Sequence, residues 1–138
     1  MIKKLTIYLV LSLIVFGGCK KDKTEPEETQ PTKESLLCRT WQLDKEYING
    51  EENLSMINID YEYKRDGTGI SIIYFVQAVT INFEWRWVDN QESIEIMVLD
   101  SKSKSAWDKA DIIVLTENEL IIEQLIGEKQ YRMEFAEK

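Results

Sequence analysis

In the run from Val79 to Val88 the first nine residues alternate without a slip. Val79, Ile81, Phe83, Trp85 and Trp87 fall on one side, and Thr80, Asn82, Glu84 and Arg86 on the other. A period of two is that of a β-strand with one buried face. On a helix the same five apolar residues would scatter around the circumference. A strand this one-sided must bury its apolar row against other elements, so the rest of the chain has to supply them.

It does so in short runs separated by turn signals. Trp41, Leu43, Lys45 and Tyr47 alternate with Gln42, Asp44 and Glu46, and Asn49-Gly50 turns the chain. Ile57, Ile59, Tyr61 and Tyr63 alternate with Asn58, Asp60, Glu62 and Lys64. Asp66-Gly67 follows, with Gly69 loosening the restart, and Ile70 to Val76 is apolar on both faces. Asp89-Asn90 ends the opening run. Ser93 to Leu99, Ala110 to Leu115, Glu119 to Ile126 and Lys129 to Ala136 complete the set, with a polar loop at 100–109. About eight strands in residues 34–138, with no long helical pattern, predict an all-β antiparallel sandwich or barrel. Eight is also a natural number for a small closed barrel.

Upstream of this domain the pattern changes twice. Lys3 and Lys4 precede an apolar-to-neutral run of 12 residues, Leu5 to Phe16, and Gly17-Gly18 leads into Cys19. A spanning helix needs about 20 residues, and this run reaches only about 18 Å as a helix. The layout is that of a secretory signal, residues 1–18. It resembles a bacterial lipoprotein signal, which implies that Cys19 carries the lipid (palmitate among its acyl chains) and is the first residue of the mature protein. Residues 19–33 hold both prolines, Pro26 and Pro31, and no large apolar side chain after Cys19. They read as a solvated tether. A short helical turn through Leu36-Leu37, capped by Thr32, is expected to open the domain.

Charge and composition narrow the chemistry. Without residues 1–18 the chain carries 15 bases and 25 acids, a net −10, all of it in residues 34–138. So acidic a domain is not expected to bind nucleic acid or to grip anionic lipid; membrane contact falls to the lipid on Cys19. The chain has no histidine, which removes Ser-His and Cys-His catalysis and His-ligated zinc. With Cys19 acylated, Cys38 is the one remaining thiol, read as a small buried residue at the first strand. No catalytic residue, metal site or cofactor is expected. Asp100 and Asp108 flank the polar loop, but no calcium-loop spacing supports a site there.

The runs also carry a resemblance. Leu36-Leu37 leads to Trp41. Tyr61-Glu62-Tyr63-Lys64-Arg65-Asp66-Gly67-Thr68-Gly69 follows, then Phe83-Glu84-Trp85, then Ile113-Val114-Leu115-Thr116 with Glu119-Leu120. Together they resemble the lipocalin-like domain of small Gram-negative lipoproteins, over roughly residues 34–136. That implies an up-and-down barrel in the cell envelope, anchored in the outer membrane and facing the periplasm or the surface. It implies no catalytic residues. Arg39-Thr40-Trp41 stands where lipocalins place Gly-x-Trp, and Arg132 is the candidate for the arginine that packs over this tryptophan.

Three tryptophans are the candidate ligand or partner contacts. Trp85 and Trp87, with Phe83, form either a stacking platform or a core row, and the clean alternation favours core. Trp107, in the polar loop, is either a lid over the barrel end or an exposed anchor. The aromatic residues competing for the interior predict a mostly packed barrel, with any site shallow or at the mouth. Two functions follow: a non-catalytic binding module for a small apolar ligand, or a protein-interaction module such as an inhibitor or accessory subunit. A connected apolar cavity would favour the first, and a filled barrel with an exposed apolar patch the second.

Overall fold

A computed structural model describes residues 30–54, 58–99 and 105–138. The signal segment 1–18, Cys19, tether residues 20–29 and Asp100 lie outside the described residues. The helical turn α1 (Lys33–Leu37) comes first. Nine strands follow: β1 (Thr40–Ile48), β2 (Glu51–Glu52), β3 (Asn58–Tyr63), β4 (Thr68–Tyr74), β5 (Ala78–Val88), β6 (Ser93–Leu99), β7 (Asp108–Leu115), β8 (Glu119–Ile126) and β9 (Lys129–Glu137). Neighbours pair antiparallel from β3 to β9, and β1 pairs with both β3 and β9. The sheet therefore closes into an eight-stranded up-and-down barrel with no free edge. The two-residue β2 extends the β1 hairpin beyond Asn49-Gly50 and pairs Tyr47–Ile48.

One end of the barrel is plugged. Thr32 caps α1, its hydroxyl accepting from the Ser35 amide at 3.1 Å. Leu36 and Leu37 turn into the barrel and are buried. Trp41 is 0% exposed, and its indole N–H donates to the Leu37 carbonyl at 3.0 Å. Around them Tyr63, Phe83, Trp85, Ile94, Ala110, Leu120, Ile122 and Phe135 complete one core cluster. The turns at 64–67, 89–92 and 116–118 belong to this closed end. Those at 49–50, 75–77 and 127–128 surround the open end.

Two bulges alter the faces expected from alternation. In β1 the register slips between Leu43 and Lys45, so Glu46 lies opposite Met133 and Tyr47 opposite Arg132. Trp41 and Leu43 keep the inner face, but beyond the bulge Glu46 takes it and Tyr47 moves to the outer wall with Arg132. An extra residue shifts every later side chain to the other face. In β7 the slip between Ile112 and Val114 leaves Ile113 exposed. Gly69, expected at a turn, lies inside β4 opposite Tyr63 and Phe83. The Phe83 ring lies where a Cβ on Gly69 would sit.

Acidic groups hold the closed end. Lys109 bridges Asp89 at 2.6 Å and Asp111 at 3.2 Å, and the Ser93 hydroxyl donates to Asp111 at 2.7 Å. The Lys109 ammonium lowers the pKa of Asp89, and the Ser93 hydroxyl followed by Lys109 lowers that of Asp111. The Thr68 hydroxyl and amide do the same for Asp66. Each carboxyl binds its proton more weakly folded than unfolded. Their stabilisation is complete above the ordinary aspartate value of about 3.9 and is lost as pH falls through the depressed values. The urea midpoint is therefore expected to be level from pH 7 to 5 and to fall below pH 4. An Asp89→Asn, Asp111→Asn protein should show a shallower fall; an equal one would remove these groups as its cause.

Candidate functional site

The plug fills the closed half of the barrel and leaves the other half open. A cavity of about 250 Å³ lies between the core and the mouth. Its floor is aromatic: Tyr61 and Tyr63 from β3, Phe83 from β5 and Phe135 from β9. Edge-on contacts fix these rings, with Tyr61 5.4 Å from Phe135 and Tyr63 5.3 Å from Phe83. Ile73, Ile81, Ile96, Ile122, Ile126 and Met133 make the wall, and Ser71, Gln124 and Asp108 interrupt it with polar groups. The alternation of each strand aims these side chains inward. In β4, for example, Gly69, Ser71 and Ile73 face the lumen while Ile70 and Ile72 line a separate depression on the outer wall.

The electrostatics of the lumen are one-sided. Among the described residues no lysine or arginine lines the cavity, and Asp108 is the one charged residue of that lining. Glu46 stands close enough to Tyr61 to add to the burial that raises that phenol's pKa. It accepts a hydrogen bond from the Asn53 amide at 2.6 Å. Tyr63 is 2% exposed, and burial followed by the neighbouring Tyr61 raises its pKa. Both phenols stay protonated at neutral pH. The Tyr63 hydroxyl has no hydrogen-bond partner among the described residues.

The tryptophans and the arginine singled out from the sequence lie elsewhere. Trp85 is buried in the closed half, its indole donating to the Lys64 and Thr68 carbonyls at 3.0 and 3.1 Å. Trp87 packs edge-on against it at 5.6 Å. Trp107 is half-buried, with the Arg86 guanidinium 4.3 Å from its ring centre and that arginine hydrogen-bonded to Glu95 at 2.7 Å. None of the three is among the cavity-lining residues. Arg132 does not pack over Trp41. It sits on the outer wall, 3.0 Å from both Glu123 and Glu134. The arginine that ties the plugged end is Arg39, which donates to the Ser35 and Glu117 carbonyls and pairs with Glu137 at 3.0 Å. Cys38 is half-buried beside the plug, and burial followed by Glu34 raises its thiol pKa. Among the described residues no group of three or more Cys, Asp or Glu side chains is placed to hold a metal ion.

Sequence reasoning passed over Ser71 and Gln124, and weighed Asp108 only as a calcium ligand beside Asp100. The available signal was a polar residue on an inward face: Ser71 interrupts an otherwise apolar row, and Gln124 continues the Leu120–Ile122 face.

No family model matches this sequence, and no curated protein matches it at a significant level. Among solved structures it is similar to the crystal structure of a lipocalin-like protein from Bacteroides uniformis ATCC 8492, with a TM-score of 0.57 and 14% identity. The match covers 74% of this chain and 98% of that one. The chain thus folds as a lipocalin-like barrel.

Proposed function

We propose that this protein is a lipid-anchored, non-catalytic binding module of the cell envelope that takes a small, mostly apolar molecule into the mouth of its barrel. The observation that carries this reading is the apolar cavity of about 250 Å³ opening at the unplugged end. Binding pockets are concave, mainly apolar and sparingly polar, and an apolar cavity of about 150 Å³ already accepts benzene. A bicyclic aromatic is the natural size of probe. Naphthalene titrated calorimetrically into the full chain is expected to bind saturably. Ile81→Trp, which projects an indole into the lumen, should weaken it at least about tenfold, a loss of ~1.4 kcal/mol. Unchanged affinity in that variant would move the site out of the barrel.

Anchoring rests on Lys3, Lys4, the run from Leu5 to Phe16 and Gly17-Gly18-Cys19. Mass spectrometry of the mature N-terminus from native membranes is expected to find an acylated Cys19; an unmodified thiol there overturns this part. A second reading, docking of a protein partner, draws on the exposed Leu54, Phe75, Val76 and Leu125 around the open end. Native mass spectrometry of membrane-derived material separates the two by whether a small molecule or a polypeptide travels with the chain.

A further inference from the structure

Outside the barrel, β3 and β4 frame a separate depression of about 370 Å³, with Asp60, Glu62, Ile70, Ile72, Tyr74 and Lys138 in its lining. Asp60 pairs with Ile72 and Glu62 with Ile70, so two carboxylates stand beside two aliphatic side chains on the outer faces of neighbouring strands. Asp60 faces outward, yet it is 3% exposed. An outer-wall carboxylate ordinarily stays in water, and burying one is costly unless it is paired. Here the Tyr74 hydroxyl donates to Asp60 Oδ2 at 2.7 Å, and the Lys138 ammonium bridges the same oxygen. That ammonium lies 5.4 Å from the centre of the Tyr74 ring, within reach of a cation–π contact.

We propose that this depression is a binding site for a primary alkylammonium group, distinct from the lumen, and that Lys138 is its built-in occupant. Lys138 shows what the site accepts. A shielded carboxylate, an aromatic face and an aliphatic floor together recognise an ammonium carried on an apolar stem. Asp60 Oδ2 is open to such a group from the surface, because the half-exposed Lys138 side chain already reaches it. The same exposure lets Lys138 swing into water and leave its place to another ammonium. Asp60 Oδ1 is buried with no partner among the described residues, so the carboxylate gains all the more from a cation on its other oxygen. The net −10 of residues 34–138 draws cations towards the domain.

The probe is n-butylammonium chloride, titrated calorimetrically at pH 7 and fixed ionic strength against the full chain and its Lys138→Ala variant. Removing the lysine leaves the Asp60 charge unpaired, so the urea midpoint of the variant should fall. The variant should bind n-butylammonium saturably and at least about tenfold more tightly than the native chain, which has to release Lys138 first. Binding should also raise the variant's urea midpoint towards the native value; if the variant is unfolded alone, the probe should refold it. Asp60→Asn added to Lys138→Ala should abolish the binding. Nα-acetyl-lysine N-methylamide, run beside n-butylammonium, distinguishes a polypeptide lysine from a free amine, and the tighter of the two names the source. Equal affinity for the native chain and Lys138→Ala, binding that survives Asp60→Asn, or neither binding nor rescue in Lys138→Ala would each overturn the inference. None of these outcomes bears on the lumen.

Discussion

Trp41→Ala is expected to lower the unfolding free energy by about 3–5 kcal/mol, the usual range for truncating a large buried aromatic. Trp41 is 0% exposed, stands in β1 where the barrel closes, and holds the Leu37 carbonyl through its indole N–H at 3.0 Å. Three losses coincide on its removal. Its own buried area is forfeited, a cavity opens under α1, and the helical turn loses the bond that seats its last residue. A small domain has about 5–15 kcal/mol in total, so the variant should be partly unfolded at 37 °C. Urea denaturation followed by tryptophan fluorescence checks this. Trp41→Phe separates the contributions: it keeps most of the packing, lacks the N–H, and should recover more than half of the loss. A cost below about 1 kcal/mol for Trp41→Ala, a surface-like value, would mean that the plug is not held by this residue.

Gly69→Ala is the second large effect, and its cause is the reverse. A Cβ at Gly69 would lie 2.2 and 2.3 Å from Phe83 ring carbons and 2.7 Å from the Glu62 carbonyl oxygen. The carbonyl belongs to the paired strand β3 and cannot retreat without breaking the ladder. The ring is held edge-on by Tyr63 at 5.3 Å. One methyl therefore forces strain in β3, β4 and β5 together, at an expected cost of about 2–3 kcal/mol, the upper part of the overpacking range. Gly69→Ala with Phe83→Leu should recover part of it, since the smaller side chain vacates the ring position. Strict additivity in that double-mutant cycle would rule out the steric explanation. By contrast, Gly67 is a matter of backbone conformation, with φ at +82° in the β3–β4 turn.

The strands were legible because each carries its own period-two pattern, and the turns because Asn49-Gly50, Asp66-Gly67 and Asp89-Asn90 mark them. Closure was legible only as a count of strands and as a family resemblance. The β1 bulge left no trace. Lys45 and Tyr47 continue the alternation started by Trp41 and Leu43, and long amphipathic side chains suit either face of a barrel wall. The faces are settled by register, with Phe135 opposite Leu43 and Met133 opposite Glu46. Arg132 shows the same difficulty: its place on the outer wall follows from β9 register, which a single sequence does not carry.

The cavity was harder still. The most conspicuous aromatic row, Phe83 to Trp87, marks the half where side chains meet and pack. A cavity forms where inward side chains are too short to meet across the lumen, as with Ser71, Ile81 and Ile96 around the mouth. That is a property of opposing strands, each contributing an ordinary residue. Trp107 drew notice as a lone aromatic in a polar loop, yet Arg86 covers its ring on the barrel wall.

The two faces of β4 provide the most direct test of a binding lumen. Ile73 points into the cavity, while Ile70 and Ile72 point outward from the same strand. Methyl-resolved NMR of isoleucine-labelled full chain during a naphthalene titration distinguishes them residue by residue. Saturable shifts at Ile73, Ile81, Ile96 and Ile122, with Ile70 and Ile72 unmoved, are the expected result. Shifts confined to Ile70 and Ile72, or none at saturating probe, would contradict a ligand site inside the barrel.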